Sequence, residues 1–97
     1  MSYGDLLIQD ARLVLLRVIY EMPSRRANSS VLCTIIDERY GHTLELADVK
    51  RELRWLEEHE LVEIETAGSV MLATLRGRGE KVVKGRITIE GVKRPRV

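Results

Sequence analysis

The feature that most narrows the possible folds is a change of hydrophobic period at His59-Glu60. Before it, apolar residues recur at three- and four-residue steps, the spacing that gives a helix a buried face. After it, Leu61-Val62-Glu63-Ile64-Glu65 and Val70-Met71-Leu72-Ala73-Thr74-Leu75 flank Thr66-Ala67-Gly68-Ser69. That pattern predicts a β-hairpin with a four-residue turn. Ninety-seven residues make one domain with a modest core, so helices and hairpin must share it.

Three helices are expected ahead of the hairpin. In residues 5–22, Leu7, Ala11, Val14, Leu15, Val18 and Met22 form a stripe that Ile8, Leu13, Leu16 and Ile19 widen beyond one face. This helix is either central to the core or half of a dimer contact. Pro23 ends it, since proline lacks an amide hydrogen and disfavours helix in the residue before it. Ser24-Arg25-Arg26-Ala27 reads as a basic loop, and Asn28 or Ser29 can cap a second helix. That helix turns Val31, Leu32, Ile35 and Ile36 inward and closes at Tyr40-Gly41. His42-Thr43-Leu44-Glu45 reads as a turn into a third helix at about 46–59. At roughly 100° per residue, Val49, Leu53 and Leu56 share one face of it, with Lys50, Arg51, Arg54 and Glu58 on the other. A short fourth helix is expected at 76–84, closed by Gly85. Residues 1–85 then form one domain, and 86–97 an extended basic tail with Ile87 and Ile89 alternating.

Helix, helix, turn, helix and hairpin in this order make an α+β, mostly α, winged helix-turn-helix with a three-helix core. The plan places one helix in a major groove wide enough for it and a hairpin over the flanking backbone. Val49-Lys50-Arg51-Glu52-Leu53 followed by Leu56-Glu57-Glu58-His59-Glu60-Leu61-Val62 resembles the recognition helix and first wing strand of arsenic-repressor and MarR-type regulators. Glu60 stands where those usually have glycine, which predicts a turn into the wing that is either strained or differently shaped. Arg54-Trp55-Leu56-Glu57-Glu58, Ala73-Thr74-Leu75-Arg76-Gly77-Arg78-Gly79 and Gly91-Val92-Lys93-Arg94-Pro95 resemble a small winged-helix family encoded by Mu-like bacteriophages and prophages. That resemblance implies a phage-encoded winged-helix protein and carries no operator, ligand or activity with it.

With double-stranded DNA as partner, Lys50, Arg51 and Arg54 are the groove-facing candidates and Ser69 sits at the wing tip. Arg25, Arg26, Arg76 and Arg78 would touch phosphates, setting affinity without reading sequence. The opposing reading is a solvated helix surface, because Glu45, Asp48, Glu52, Glu57 and Glu58 share or flank the same helix and Arg54 can pair with Glu58 at (i, i+4). Charge distribution adds a further pointer. Residues 1–75 hold 8 Lys/Arg and 13 Asp/Glu, a net of −5, whereas residues 76–97 hold 8 Lys/Arg and 2 Asp/Glu, a net of +6. A basic end on a slightly acidic body suits a polyanion, or is a solubilising tail.

Other functions find little footing. No stretch approaches the roughly 18 apolar residues of a membrane span, and Met1-Ser2-Tyr3-Gly4-Asp5 lacks the marks of a signal peptide. Cys33 is the only cysteine, which excludes an internal disulfide and fits a bacterial cytoplasm. It reads as a small buried hydrophobe, and His42 and His59 as structural, with no spacing for a metal site. Trp55 is expected beneath the wing or, failing that, stacked on a ligand or a partner. Gly77-Arg78-Gly79 lacks the glycine spacing and Lys-Ser/Thr of a phosphate loop. No enzyme, cofactor or small-molecule ligand is expected, and a homodimer through the first helix stands as the alternative to core burial of its broad stripe. The competing role for the whole chain is a protein-interaction module in phage assembly or host interference.

Overall fold

The computed structural model describes residues 2–41 and 44–96, so the turn and structural role expected for His42 lie outside the described residues. The elements are α1 (Tyr3–Glu21), a 3₁₀ turn (Pro23–Arg25), β1 (Arg26–Asn28), α2 (Ser29–Tyr40), α3 (Leu46–Glu58), β2 (Val62–Ala67), β3 (Val70–Leu75) and α4 (Gly77–Val83). The change of period at His59-Glu60 thus separates helices from hairpin as expected.

A capping box opens α1. The Ser2 hydroxyl accepts from the Asp5 amide at 3.2 Å and the Asp5 carboxylate accepts from the Ser2 amide at 3.3 Å. Met22, ahead of Pro23, is extended at φ −78° and ψ 151° and stops the helix. Between these ends Leu13, Val14, Leu15, Leu16, Val18 and Ile19 are all buried, so α1 is covered nearly all round by the other elements. Core burial accounts for the broad stripe from Ala11 onward. It does not account for Leu6 and Leu7, which stay 50% and 43% exposed in the first turns.

The segment read as a basic loop contains a strand. β1 pairs antiparallel with β3 (Arg26↔Thr74, Ala27↔Ala73, Asn28↔Leu72), giving a three-stranded sheet of order β1-β3-β2. Ser24 and Arg25, at φ 58° and 54°, turn the chain to lay it along β3. Three residues are too few to show a period, and the buried Ala27 is the only apolar signal in them. Asn28 then caps α2, its side-chain oxygen accepting from the Val31 amide at 2.8 Å, and Gly41 closes it in the left-handed conformation.

The wing is also tighter than expected. Thr66 and Ala67 extend β2 to the Ala67↔Val70 pair, leaving Gly68-Ser69 as a two-residue turn. Only Gly68 of the two has positive φ, the pattern of a type II′ turn. Glu60 holds φ 63°, the conformation a glycine would take freely, so the strain expected there is real and local. The buried Gly79 faces the Leu61 carbonyl so closely that a Cβ would run into it and into the Leu75 side chain. Close packing of α4 on the wing therefore explains this glycine.

Residues 86–96 have neither helix nor strand, yet they are bound to the body instead of projecting from it. Val92 and Pro95 are buried, the Lys93 amide donates to the Gln9 carbonyl at 3.1 Å, and Lys93 Nζ pairs with Asp10 at 3.3 Å. The extended tail expected from charge and alternation is corrected accordingly: a few apolar residues are enough to hold it on α1. Among the described residues, no helix is long and apolar enough to cross a membrane.

Candidate nucleic-acid interface

Val49, Glu52, Leu53 and Leu56 are the buried residues of α3. The direction away from them presents Ala47, Arg51, Arg54 and Glu58, all exposed, with Lys50 half-buried at the side. Lys50 Nζ donates to the Ser69 carbonyl at 2.8 Å, so two of the expected site residues meet. That bond ties the third helix to the wing tip and fixes their separation. On the same flank, the Glu57 carboxylate accepts from the Ile64 amide at 3.3 Å.

The two outward arginines are engaged with carboxylates. Arg51 Nη1 lies 3.1 Å from Asp48, and its Nε lies 3.3 Å from Glu52. Arg54 Nη1 lies 2.9 Å from Glu57, one residue short of the Glu58 pairing considered from spacing. Exposed pairs of this kind are worth about 0.2–1 kcal/mol. A bidentate arginine–guanine contact supplies about 1–3 kcal/mol. The Arg51–Asp48 and Arg54–Glu57 pairs are therefore weak enough to give way to a stronger acceptor.

The remaining expected residues are dispersed. Arg78 Nε donates to the His59 carbonyl at 3.1 Å, placing one cation at the C-terminal end of α3. Arg76 precedes α4, and its amide donates to the Leu61 carbonyl at 3.0 Å. Arg26 reaches Glu65 of the wing only at 3.9 Å. Arg25 stacks over Tyr20 with its guanidinium carbon 4.2 Å from the ring centre. Both lie on the β1 side of the sheet, and among the described residues no hydrogen bond or ion pair links either to α3. The grouping found is thus Lys50 with Ser69 and, along α3, Arg51, Arg54 and Arg78.

A second cluster was not expected. Glu52 is only 4% exposed, and Arg12 of α1 reaches it with Nε at 2.8 Å. The same guanidinium stacks 3.7 Å from the centre of the Trp55 ring and donates from Nη1 to the Gly91 carbonyl at 2.9 Å. Trp55 stacks in turn on His59, ring centres 3.7 Å apart and 20° from parallel. The His59 Nδ1 lies 2.8 Å from the Trp55 carbonyl. Trp55 therefore packs on the flank opposite the wing, under the C-terminal segment and not under the hairpin. One signal was available: at 100° per residue Glu52 falls roughly 40° beyond Leu56, at the edge of the apolar face, and a carboxylate buried there requires a cation.

Cys33 is half-buried, its Sγ 3.4 Å from the Leu44 carbonyl. Among the described residues no three His, Cys, Asp or Glu side chains gather as a metal site would need.

No family model matches the chain. Two hsRosR chains have the same arrangement of helices and wing. One, from the complex structure hsRosR-S1, has a TM-score of 0.69 at 18% identity, over 84% of this chain and 70% of that one. The other, from hsRosR-S4, has a TM-score of 0.66 at 20% identity, over 75% and 62%. At such identities the likeness shows the winged-helix fold. An uncharacterized protein of Haemophilus influenzae is 43% identical over 65 residues, 67% of this chain and 62% of that protein. The uncharacterized protein gp26 of Escherichia phage Mu is 39% identical over 93 residues, 96% of this chain and 95% of gp26. Agreement of that extent, end to end and over helices and wing alike, places the chain in the Mu phage gp26 family.

Proposed function

We propose that this protein binds double-stranded DNA through α3 and serves a phage or prophage as a regulator of transcription in the host cytoplasm, acting by binding and not by catalysis. The observation that carries the reading is the outer face of α3, where the Arg51 and Arg54 side chains are 64% and 47% exposed and Lys50 is held to the wing tip. A helix about 10–12 Å across with its side chains suits a major groove about 12 Å wide. In this reading Arg51 and Arg54 meet base edges, and Lys50, Ser69, Arg76 and Arg78 meet backbone. Arg25 and Arg26 would be reached only by DNA that bends past the wing. The likeness of α3 and β2 to arsenic-repressor and MarR-type regulators belongs to the same reading. So does a homodimer, for which the exposed Leu6 and Leu7 of α1 offer an apolar contact; two copies would match two half-sites.

The test is a fluorescence-anisotropy titration with mixed-sequence duplex at about 50 and 200 mM salt. Each neutralised phosphate adds about 0.9 to the slope of log affinity against log salt, so steep weakening is expected. Absence of binding at the lower salt would refute the reading.

One observation favours a second reading, a protein-interaction module. Asp48, Glu52 and Glu57 compensate the α3 arginines, and the strand of the wing beside α3 carries Glu63 and Glu65, both exposed. A partner with basic groups would find them matched on this surface.

A further inference from the structure

The α3 helix is flanked on both sides. Lys50 engages the wing and Trp55 engages Gly91, and five residues of helix put these two contacts roughly 140° apart. The C-terminal segment thus occupies the side of α3 opposite the hairpin. The hairpin has no Lys or Arg between Val62 and Leu75, whereas residues 84–96 contribute Lys84, Arg86, Lys93, Arg94 and Arg96. Of these, Lys84 pairs with Glu80 and Lys93 with Asp10.

Arg86 and Arg94 are different. Both line one concavity of about 290 Å³ with Gly85, Ile87, Thr88 and Pro95, and no carboxylate among the described residues lines it. Both are exposed, and among the described residues neither side chain has an ion pair or hydrogen bond. The Ile87 and Thr88 amides likewise have no partner there, since the chain leaves α4 through the Arg86 amide bonded to the Lys81 carbonyl at 2.9 Å and takes no regular structure afterwards. The concavity is fixed by packing: Gly85 turns with φ +72° and lies against Pro95, while Gly91 is held by Arg12. Glu90 lies with Arg94 on the neighbouring groove, outside this one. Two guanidinium groups, free amides and no acid are the makings of an anion site, since hydrogen bonds from charged donors to phosphate are the strong ones.

We propose that the Arg86–Arg94 concavity is a phosphate-binding site that takes a backbone phosphate of duplex DNA on the side of α3 away from the wing. Arg94 is three residues from Gly91, at most about 10 Å of chain, so a duplex seated on α3 passes within reach of it. The proposal rests on the reading of α3 as the DNA-facing helix. It assigns to the C-terminal segment the backbone contact that the cation-free hairpin is poorly equipped to make.

The test uses the full chain, ¹⁵N-labelled, titrated first with inorganic phosphate and then with a mixed-sequence duplex. Phosphate is expected to move the Ile87 and Thr88 amide signals at millimolar concentration, and R86Q/R94Q to abolish that movement without changing the thermal midpoint. With duplex, the same variant is expected to lower the salt slope by about 0.9, the one phosphate contact that the site supplies. Phosphate shifts that are missing, or unchanged in the variant, overturn the site. An unchanged salt slope overturns the duplex as its source and leaves a site for free phosphate. If the wild-type chain binds no duplex while the phosphate shifts persist, the α3 reading fails and the anion site stands.

Discussion

Arg12 and Glu52 form an ion pair at 2.8 Å with side-chain exposures of 15% and 5%, which makes it the most enclosed charge pair among those described. It joins the middle of α1 to the inner edge of α3. Removing the cation leaves a carboxylate in the core with only the exposed Arg51 beside it. Breaking a buried pair from one side costs about 3–5 kcal/mol, and the Arg51 contact should hold Arg12→Ala near the lower end. Urea denaturation is expected to show that loss, with Arg12→Met/Glu52→Leu costing much less than either single change. Equal costs for the single and double variants would mean that Glu52 is solvated and the pair is incidental.

Gly91 is placed where no other residue fits. A Cβ there would lie 2.6 Å from Trp55 Cζ2 with φ at +97°. Gly91→Ala is therefore expected to lift the C-terminal segment from the indole and to destabilise by about 1–3 kcal/mol, the range for overpacking. Trp55 is the only tryptophan, so its emission reports the event directly, shifting to the red in the native state. Unshifted emission would show that the segment adjusts without leaving.

Glu60 at φ 63° offers the reverse experiment. A non-glycine residue in the left-handed region costs about 1 kcal/mol or more, and glycine gives back part of this through the greater freedom of its unfolded chain. Glu60→Gly is expected to stabilise by about 0.5–1 kcal/mol, seen as a thermal midpoint higher by a few degrees. A lower midpoint would mean that the Glu60 side chain contributes more than its backbone strain costs.

For binding, neutral substitutions are preferable to reversals, because a glutamate at either arginine would add to Asp48, Glu52 and Glu57. Arg51→Gln/Arg54→Gln is expected to reduce affinity for a specific duplex at least tenfold, with a stability loss of about 1 kcal/mol, since the exposed pairs contribute little and Arg12 still neutralises the buried Glu52. Affinity preserved in this variant would move the contact away from α3.

How much of this was legible in the sequence follows from how many residues each signal spans. α1 and α3 run for 19 and 13 residues, long enough for periodicity to declare them, and Pro23, Asn28 and Gly41 mark ends by local chemistry. β1 is three residues long, below the reach of any period, and became a strand only because β3 lay beside it. Of the candidate site, Lys50, Arg51 and Arg54 could be placed on one face by counting along a helix. The Lys50–Ser69 bond, the Arg12–Gly91 bond and the Arg86–Arg94 concavity join positions 19, 79 or 8 residues apart in sequence. No local pattern encodes such meetings, although a glutamate at the edge of the apolar arc of α3 announced that some cation had to arrive.

The strand order has a consequence for the protein's behaviour in crowded company. With β3 in the middle, both outer strands offer backbone that a stranger's strand could zip onto, apart from the Ile64 amide of β2, which Glu57 already holds. β1 is too short to template much, and β2 carries Glu63 and Glu65, both exposed, along its length. The same two carboxylates that make the hairpin an indifferent partner for phosphate keep its open edge from recruiting another copy of itself.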